Sequence, residues 1–310
     1  MSLTVVGSIA FDSVRTPFGE RERMLGGSAV HFALAASFFT DVKVVGQVGE
    51  DFGDEQAEVL TSRGIDTSSI ERVPGGRTFF WRGYYEHDMN VAHTEQTELG
   101  VFADFEPKLS PEAASADVVF LGNIQPQLQR QVRAQCAGAR FAALDSMNHW
   151  IEGARDALIE AISEVDCVIL NDAEIRMLTE DPNLARAARR VMEMGPRIVV
   201  AKQGEYGAAL FTPDGFFGLP GMPLEDVRDP TGAGDSFAGG FLGYLDGHCS
   251  ELTTEELRRA MAYGTVLASF NVERFGTERV RELTAEEIAE RFRELVAITR
   301  FEERPIELRS

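Results

Sequence analysis

The stretch that decides the fold, RDPTGAGDSFAGGF at residues 228–241, joins a glycine-rich turn to the start of an apolar helix. Gly232 and Gly234 allow a sharp turn and the close approach of a ligand to the backbone. The first amides of a helix have no partner inside it, and the helix dipole favours an anion there. Asp235 stands at this point. Its carboxylate is either a general base beside an anion site or only a cap on the helix.

Neither of the two common phosphate-binding loops accounts for this turn. A P-loop needs a Gly-Lys pair before Ser or Thr, and the chain contains no Gly-Lys pair. A dinucleotide fingerprint needs a third glycine where Phe237 stands, and no strand leads directly into the turn. The turn is therefore predicted to be an anion site of another kind.

Short apolar strands alternate with helical segments over most of the 310 residues. This order predicts a mostly parallel sheet with helices on both faces, and ligands bind beyond the carboxyl ends of such strands. The polar residues at or just after predicted strand ends are Asp12, Asn123, Asp145, Asn171 and Lys202. We expect the functional site at this rim of the sheet.

Two segments interrupt the alternation, at about residues 12–25 and 76–103. The second includes TFFWRGYYEHDMNVAHTEQTELGV, which is rich in β-forming and aromatic residues and has no helical period. We predict that the two segments form a small antiparallel sheet that projects from the rim as a lid; the alternative is a decorated edge of the main sheet. No linker or repeat divides the chain, so residues 1–310 are predicted to be one domain that carries the lid.

Composition and charge exclude several classes of function. A formal charge of −20 argues against a nucleic-acid backbone as partner, because phosphate binding there needs a basic face. No apolar run reaches the roughly 20 residues that span a bilayer, and the N-terminus lacks a secretory leader, so we expect no membrane partner. Three scattered cysteines suggest a reducing cytoplasm, and the five histidines lack zinc-site spacing.

Several motifs together resemble the PfkB, or ribokinase-like, family of carbohydrate and nucleoside kinases. DPTGAGDSFAGGFL resembles the family's C-terminal signature. VVGSIAFDSV, LGGSAVHFALAASFF, VKVVGQVGEDFGDE, VILNDAEIRML and IVVAKQGEYGAALF resemble its other motifs, in the family's order. The resemblance covers nearly the whole chain. It implies an α/β fold of three α/β/α layers, with a mostly parallel central sheet and a small β-sheet lid.

The resemblance also implies roles for residues in phosphoryl transfer from ATP with Mg²⁺. Asp235 matches the base that takes a proton from the acceptor hydroxyl, and Gly232, Ala233 and Gly234 match the anion hole. Glu174 matches the residue that organises Mg²⁺ through water. The nucleotide-binding positions are matched by Asn171, Glu174, Lys202, Gly204 and Gly207. From spacing alone, the Asn171 and Glu174 pair is also compatible with an ordinary helix cap.

Many members of the family hold a monovalent cation beside the anion hole. Asp229 and Thr231 match one half of that site, and NVERFG at residues 271–276 resembles the other half. Pro230 replaces the commoner Thr or Ser but keeps its carbonyl group. The resemblance therefore leaves a requirement for K⁺ open.

The acceptor is assigned less sharply than the reaction. The resemblance places sugar hydroxyls on Asp12, Gly26, Gly27 and Asp235, and His31 stands where the family often has Asn. His31 is expected either to contact the acceptor or to pack in its helix, and Gln125 is a further candidate at the rim. A sugar is the preferred acceptor. The alternatives are a nucleoside, and a non-catalytic regulatory protein that binds nucleotide. The lid of this family often pairs between subunits, which implies a homodimer.

Overall fold

The computed structural model describes residues 1–302, which contain thirteen strands and twelve α-helices. The strands are β1 (Ser2–Val6), β2 (Ala10–Thr16), β3 (Gly19–Gly26), β4 (Asp41–Val48), β5 (Asp66–Arg72), β6 (Phe79–Tyr85), β7 (Ala92–Glu98), β8 (Val118–Leu121), β9 (Phe141–Leu144), β10 (Cys167–Asn171), β11 (Ile198–Lys202), β12 (Ala208–Thr212) and β13 (Gly215–Leu219). The helices are α1 (Ser28–Ala36), α2 (Asp54–Thr61), α3 (Pro111–Ala114), α4 (Pro126–Gln135), α5 (Asn148–Gly153), α6 (Arg155–Ile162), α7 (Asp172–Thr179), α8 (Leu184–Glu193), α9 (Ala233–His248), α10 (Thr254–Asn271), α11 (Glu278–Glu282) and α12 (Ala285–Thr299).

The larger sheet has the strand order β13-β12-β11-β10-β9-β8-β1-β4-β5. All pairings from β11 to β5 are parallel, whereas β12 and β13 form an antiparallel edge. β1 lies between β4 and β8, so the chain winds outward from it in both directions. Ligands in such sheets bind outside the carboxyl ends of the strands, near the place where the winding reverses.

Helices cover both faces of this sheet and bury two separate apolar cores. One core includes side chains of α1, α9, α10 and α12, and the other includes side chains of α4, α6, α7 and α8. The inner strands are buried on both faces, which explains why their sequences are mostly continuous apolar runs, whereas the edge strands β5 and β13 are largely exposed. The predicted three-layer α/β/α fold with a mostly parallel sheet is confirmed. Within residues 1–302, no helix combines the length and the apolar character needed to cross a bilayer.

The smaller sheet, which we call the lid, has the order β3-β2-β6-β7. The prediction of an antiparallel sheet holds for the two outer pairs, but β2 and β6 pair in parallel, with Asp12 opposite Trp81. The difference arises because the lid consists of two hairpins, β2–β3 and β6–β7, and the first strand of each hairpin runs in the same direction. The two segments predicted from the sequence provide these hairpins.

Candidate active site

The turn before α9 presents unpaired amides at the rim of the large sheet. Gly232 has φ 76°, a left-handed conformation that favours glycine. The N–H of Ala233 donates to the carbonyl of Pro230 at 3.1 Å, so this amide, assigned above to the anion hole, is already occupied. Within residues 1–302, the amides of Gly232, Gly234 and Asp235 have no protein acceptor. The turn therefore still offers a group of donors at a helix N-terminus, which suits an anion.

The carboxylate of Asp229 joins the two loops that were predicted to form a cation site. It is fully buried, and its two oxygens accept the backbone N–H groups of Thr231 and Gly276, each at 2.9 Å. The Nδ2 of Asn271 donates to the carbonyl of Thr231 at 2.7 Å. The structure thus brings the predicted halves together, with Asp229 occupied by backbone amides.

His31 lies beneath the turn. A β-carbon added at Gly232 would lie 2.3 Å from its ring, which explains the glycine at that position. The orientation of the Asn271 amide leaves its Oδ1 as an acceptor for Nδ1 of His31, at 3.0 Å. Nδ1 therefore carries the proton, and burial lowers the imidazole pKa to about 4. Nε2 is left as a buried acceptor without a partner in residues 1–302.

Four charged side chains meet beside the start of α9. Nζ of Lys202 lies 3.0 Å from Oδ2 of Asp145, and a β-carbon added at Gly234 would also lie 3.0 Å from that Nζ. Burial, followed by the charge of Asp145, raises the pKa of Asp235 to about 7, and Lys202 opposes this shift. Burial would lower the pKa of Lys202, but the carboxylates of Asp145, Glu174 and Asp235 raise it, so the ammonium group stays charged.

Asn171 and Glu174 form a reciprocal cap at the start of α7. The Oδ1 of Asn171 accepts the N–H of Glu174, and Oε2 of Glu174 accepts the N–H of Asn171, both at 2.8 Å. The helix-cap alternative is therefore present in the structure. Burial and the charge of Asp145 also raise the pKa of Glu174 to about 7, so the same carboxylate belongs to the charged cluster. Asn171 lies opposite Lys202 in the pairing of β10 with β11.

Asp12 faces the same turn from the lid. Its carboxylate lies against Gly26, where an added β-carbon would be 1.9 Å from Oδ2. Burial, followed by repulsion from Asp229, raises its pKa to about 7, even though an amide of Gly27 stabilises the charged form. A buried carboxylate needs hydrogen-bond donors, and the hydroxyl groups of a sugar can supply them.

The lid turns an aromatic face toward Asp12. Asp12 and Trp81 are paired across β2 and β6, so their side chains share a face, as do those of Gly83 and Tyr85 by strand alternation. The indole of Trp81 lies over Gly83, where a β-carbon would be 2.3 Å from its ring. Its Nε1 donates to Oγ1 of Thr94 at 3.1 Å, which fixes the ring, and the side chain is only partly buried.

The remaining predicted positions differ in how closely they approach this group. Gly204 begins a short 3-10 turn after β11 and Gly207 follows it, with φ 57° and 101°. Gly207 packs against the carbonyl of Leu219, whereas Gly204 lies beside Asn90 at the tip of the β6–β7 hairpin. Gln125 is exposed at the start of α4 and makes no side-chain cap there, so the structure gives it no link to the charged cluster.

Two residues of the site were not assigned from the sequence. Asp145 was recognised as a strand-end residue only, and Tyr85 was one of several lid aromatics. The hydroxyl of Thr231 donates to the Tyr85 oxygen at 3.2 Å. Strand alternation separates Tyr85 from Tyr84, but only the pairing of the lid strands tells which of the two faces the site.

The donor set fits both an anion and a hard cation. The free amides at α9 and the ammonium group of Lys202 suit phosphate oxygens. The carboxylates of Glu174 and Asp145 suit Mg²⁺, which prefers oxygen ligands and keeps several of its waters. A nucleotide with its metal therefore matches the chemistry of the residues present.

Comparison with known proteins agrees with this arrangement. The family model described as pfkB family carbohydrate kinase matches residues 3–283. The cytidine kinase of Thermococcus kodakarensis is 32% identical over 273 residues, which cover 84% of this chain and 96% of that protein. The ATP-dependent ribose-1-phosphate kinase of Halopiger xanaduensis is 28% identical, with 86% and 87% covered.

A solved structure shows the same fold at low identity. The nucleoside kinase of Burkholderia thailandensis in complex with inosine superposes with a TM-score of 0.77 at 19% identity. The match covers 95% of this chain and 98% of that one. The relatives named here thus include kinases of nucleosides and of a sugar phosphate.

Proposed function

This chain belongs to the pfkB family of carbohydrate kinases, and on that premise we propose that it transfers the γ-phosphoryl group of ATP to a hydroxyl of a nucleoside. The observation that carries the proposal is the position of Asp235, whose carboxylate stands beside the unpaired amides at the start of α9. Membership of the pfkB family accounts for phosphoryl transfer to an alcohol group. ATP as the donor, Asp235 as the base and a nucleoside as the acceptor are the proposed parts.

Asp235 acts as the general base in this proposal. Its pKa of about 7 allows the carboxylate to accept a proton near neutral pH. The acceptor hydroxyl gives its proton to Asp235, its oxygen forms a bond to the γ-phosphorus, and the bond from that phosphorus to the leaving oxygen of ADP breaks. The amides of Gly234 and Asp235 stabilise the negative charge on the transferred group.

Lys202 and Glu174 serve the nucleotide. The ammonium group of Lys202 stands against the start of α9 and neutralises phosphate charge there. Glu174, with Asp145 nearby, would hold Mg²⁺ through its waters; bound there, the metal would screen the charge of the phosphates. We retain Asp229 and Thr231 as the proposed K⁺ position. The carbonyl and side-chain oxygens of Thr231 are the ligands available there.

A nucleoside is favoured over a plain sugar by the aromatic face of the lid. Trp81 is partly exposed beside Asp12, and its indole is held flat by Gly83 and Thr94. A flat aromatic surface next to hydroxyl-binding carboxylates suits a base attached to a ribose. The cytidine kinase similarity supports the same choice. This proposal reverses the order of preference given by the sequence.

A plain sugar or sugar phosphate is the second candidate. The carboxylates of Asp12 and Asp235 can accept hydrogen bonds from sugar hydroxyls, and neither of them requires a nucleobase on the acceptor. The ribose-1-phosphate kinase similarity favours this acceptor class. A regulatory protein without turnover is the third candidate and is disfavoured because Asp235 and its turn are both intact.

We also propose a homodimer through the outer face of the lid, in the cytoplasm. On that face Arg15 lies over Tyr84 and Arg82 lies over Phe80, which makes a surface of paired cations and rings. Such a face suits a second copy, because acidic Glu95 and Glu22 lie beside the same arginines. Light scattering of the full chain would show twice the monomer mass; a monomer at micromolar concentration contradicts it.

The test is ATP consumption across nucleosides, pentoses, hexoses and sugar phosphates, with Mg²⁺ and K⁺ present. Asp235→Asn is the blank, and Asp226→Asn, at an exposed ion pair, is the matched acid-to-amide control. We expect a nucleoside to give the highest kcat/KM, with Asp235→Asn reduced about 10²- to 10⁴-fold. Turnover of sugars alone would select the second candidate. No ATP consumption with any acceptor, or full activity of Asp235→Asn, would contradict the proposed mechanism.

A further inference from the structure

We infer that Tyr85 is a positioning residue that joins the lid to the anion-hole turn through the side chain of Thr231. This inference rests on the proposed function. It goes beyond the proposed function because Tyr85 belongs to the lid, whereas the catalytic turn precedes α9 and Thr231 lies 146 residues after Tyr85. The consequence is that the lid, when it covers the acceptor, also orders the amides that receive the phosphoryl group.

The contact with the lid uses the side-chain hydroxyl of Thr231, because both backbone polar groups of this residue are already hydrogen-bonded. The N–H of Thr231 donates to Asp229, and its carbonyl accepts from Asn271. Both backbone groups of Thr231 are therefore bound by residues outside the lid. The hydroxyl donates to the Tyr85 oxygen at 3.2 Å, across the gap between the two sheets. Thr231 directly precedes Gly232, so a shift of Thr231 moves the turn.

The surroundings of Tyr85 show that it stands inside the site rather than at its edge. Its side chain is half-buried, and the charges of Asp229, Asp12 and Asp235 all act on it. A neutral hydroxyl is tolerated among three carboxylates, because it can donate its proton while it accepts from Thr231.

The same hairpin also reaches the proposed nucleotide turn. Nδ2 of Asn90, at the tip between β6 and β7, lies 3.4 Å from Oε1 of Glu205. A β-carbon added at Gly204 would lie 2.6 Å from Oδ1 of Asn90, so glycine leaves space for this tip. One hairpin thus contacts the turn at α9 through Tyr85 and the turn after β11 through Asn90. This arrangement makes the position of the lid sensitive to both substrates.

The experiment compares Tyr85→Phe with Thr231→Val, because each removes one partner of the same hydrogen bond. We expect kcat to fall about 5- to 10-fold in each, with KM for ATP changed less than about 2-fold. The double variant should be no slower than either single one. Tyr84→Phe, on the outer face of the lid, is the matched control and should match wild type.

Each outcome separates the inference from the function on which it rests. If wild-type protein phosphorylates no acceptor, the proposed function fails and the inference falls with it. If wild type is active and Tyr85→Phe keeps the full kcat, only the inference is overturned. Additive losses in the double variant overturn it too. Equal melting temperatures for all variants are required to exclude unfolding as the cause; a Tyr85→Phe loss of kcat that follows a lowered melting temperature counts against positioning.

Discussion

Lys202 and Asp145 form a buried ion pair, 3.0 Å apart, between the ends of two parallel strands and the start of α9. Their side chains are 16% and 7% exposed. Both charges act on Asp235, with opposite signs. The pair is therefore placed to set the pH at which the proposed base becomes active, and to present one positive charge to a phosphate.

The first prediction concerns the pH dependence of kcat/KM for the acceptor. Since Asp235 must be deprotonated to act, the rate should rise with pH through about 7. Asp145→Asn removes a charge that raises this pKa, so the rise should move to lower pH by roughly half a unit or more. Lys202→Met should move it to higher pH. A rise at the same pH in all three proteins would show that the pair does not control Asp235.

The second prediction separates the two roles of Glu174. Glu174→Gln keeps an oxygen that can accept the Asn171 amide, so the cap on α7 and the melting temperature should be retained. It removes the charge proposed to hold Mg²⁺, so half-saturation by Mg²⁺ should rise about 10-fold. Titration of activity with Mg²⁺ at fixed ATP measures this. Unchanged Mg²⁺ dependence would leave Glu174 with the cap alone.

The third prediction tests the packing of the anion-hole turn on His31. Gly232→Ala places a β-carbon 2.3 Å from the imidazole in a left-handed conformation. The cost should be about 2 kcal/mol or more of unfolding free energy, and most activity should be lost. Gly138→Ala is the control, because a β-carbon there meets nothing within 4 Å. Denaturant unfolding compares the two. Similar stabilities would mean that the turn can move away from His31.

The fourth prediction concerns the acceptor. Trp81→Ala removes the flat ring beside Asp12, so KM for a nucleoside should rise about 5- to 100-fold, as expected for loss of one stacked base. A plain pentose does not use this surface, and its KM should change little. Trp81→Phe keeps a ring and should recover part of the affinity. Equal increases for nucleoside and pentose would place the indole outside the base-binding region.

The sequence predicted the fold, and it supplied the candidate site positions because strand-end polar residues and the glycine-rich turn are local patterns. Asp235 and Lys202 follow from such patterns. The roles of Asp145 and Tyr85 depend on contacts with residues far along the chain, 57 and 146 positions away. The parallel pairing of β2 with β6 depends on how two distant hairpins meet. A local pattern carries no information on either contact.

His31 shows where a local pattern and a structure answer different questions. The sequence left open whether it contacts the acceptor or packs in its helix. The structure shows it packed beneath Gly232, with its protonated Nδ1 held by Asn271. Within residues 1–302, Nε2 of His31 has no hydrogen-bond partner. Contact between this nitrogen and a hydroxyl of the substrate therefore stays a prediction.

The two-hairpin lid has a consequence for protein engineering. Its central pair joins strands that belong to separate excursions of the chain, at Ala10–Thr16 and Phe79–Tyr85. A chimaera that borrows only the second excursion from a relative would pair a foreign edge with the native Asp12 strand. Transfer of acceptor preference between relatives therefore requires that both segments be exchanged together, although they are encoded by two separate parts of the gene.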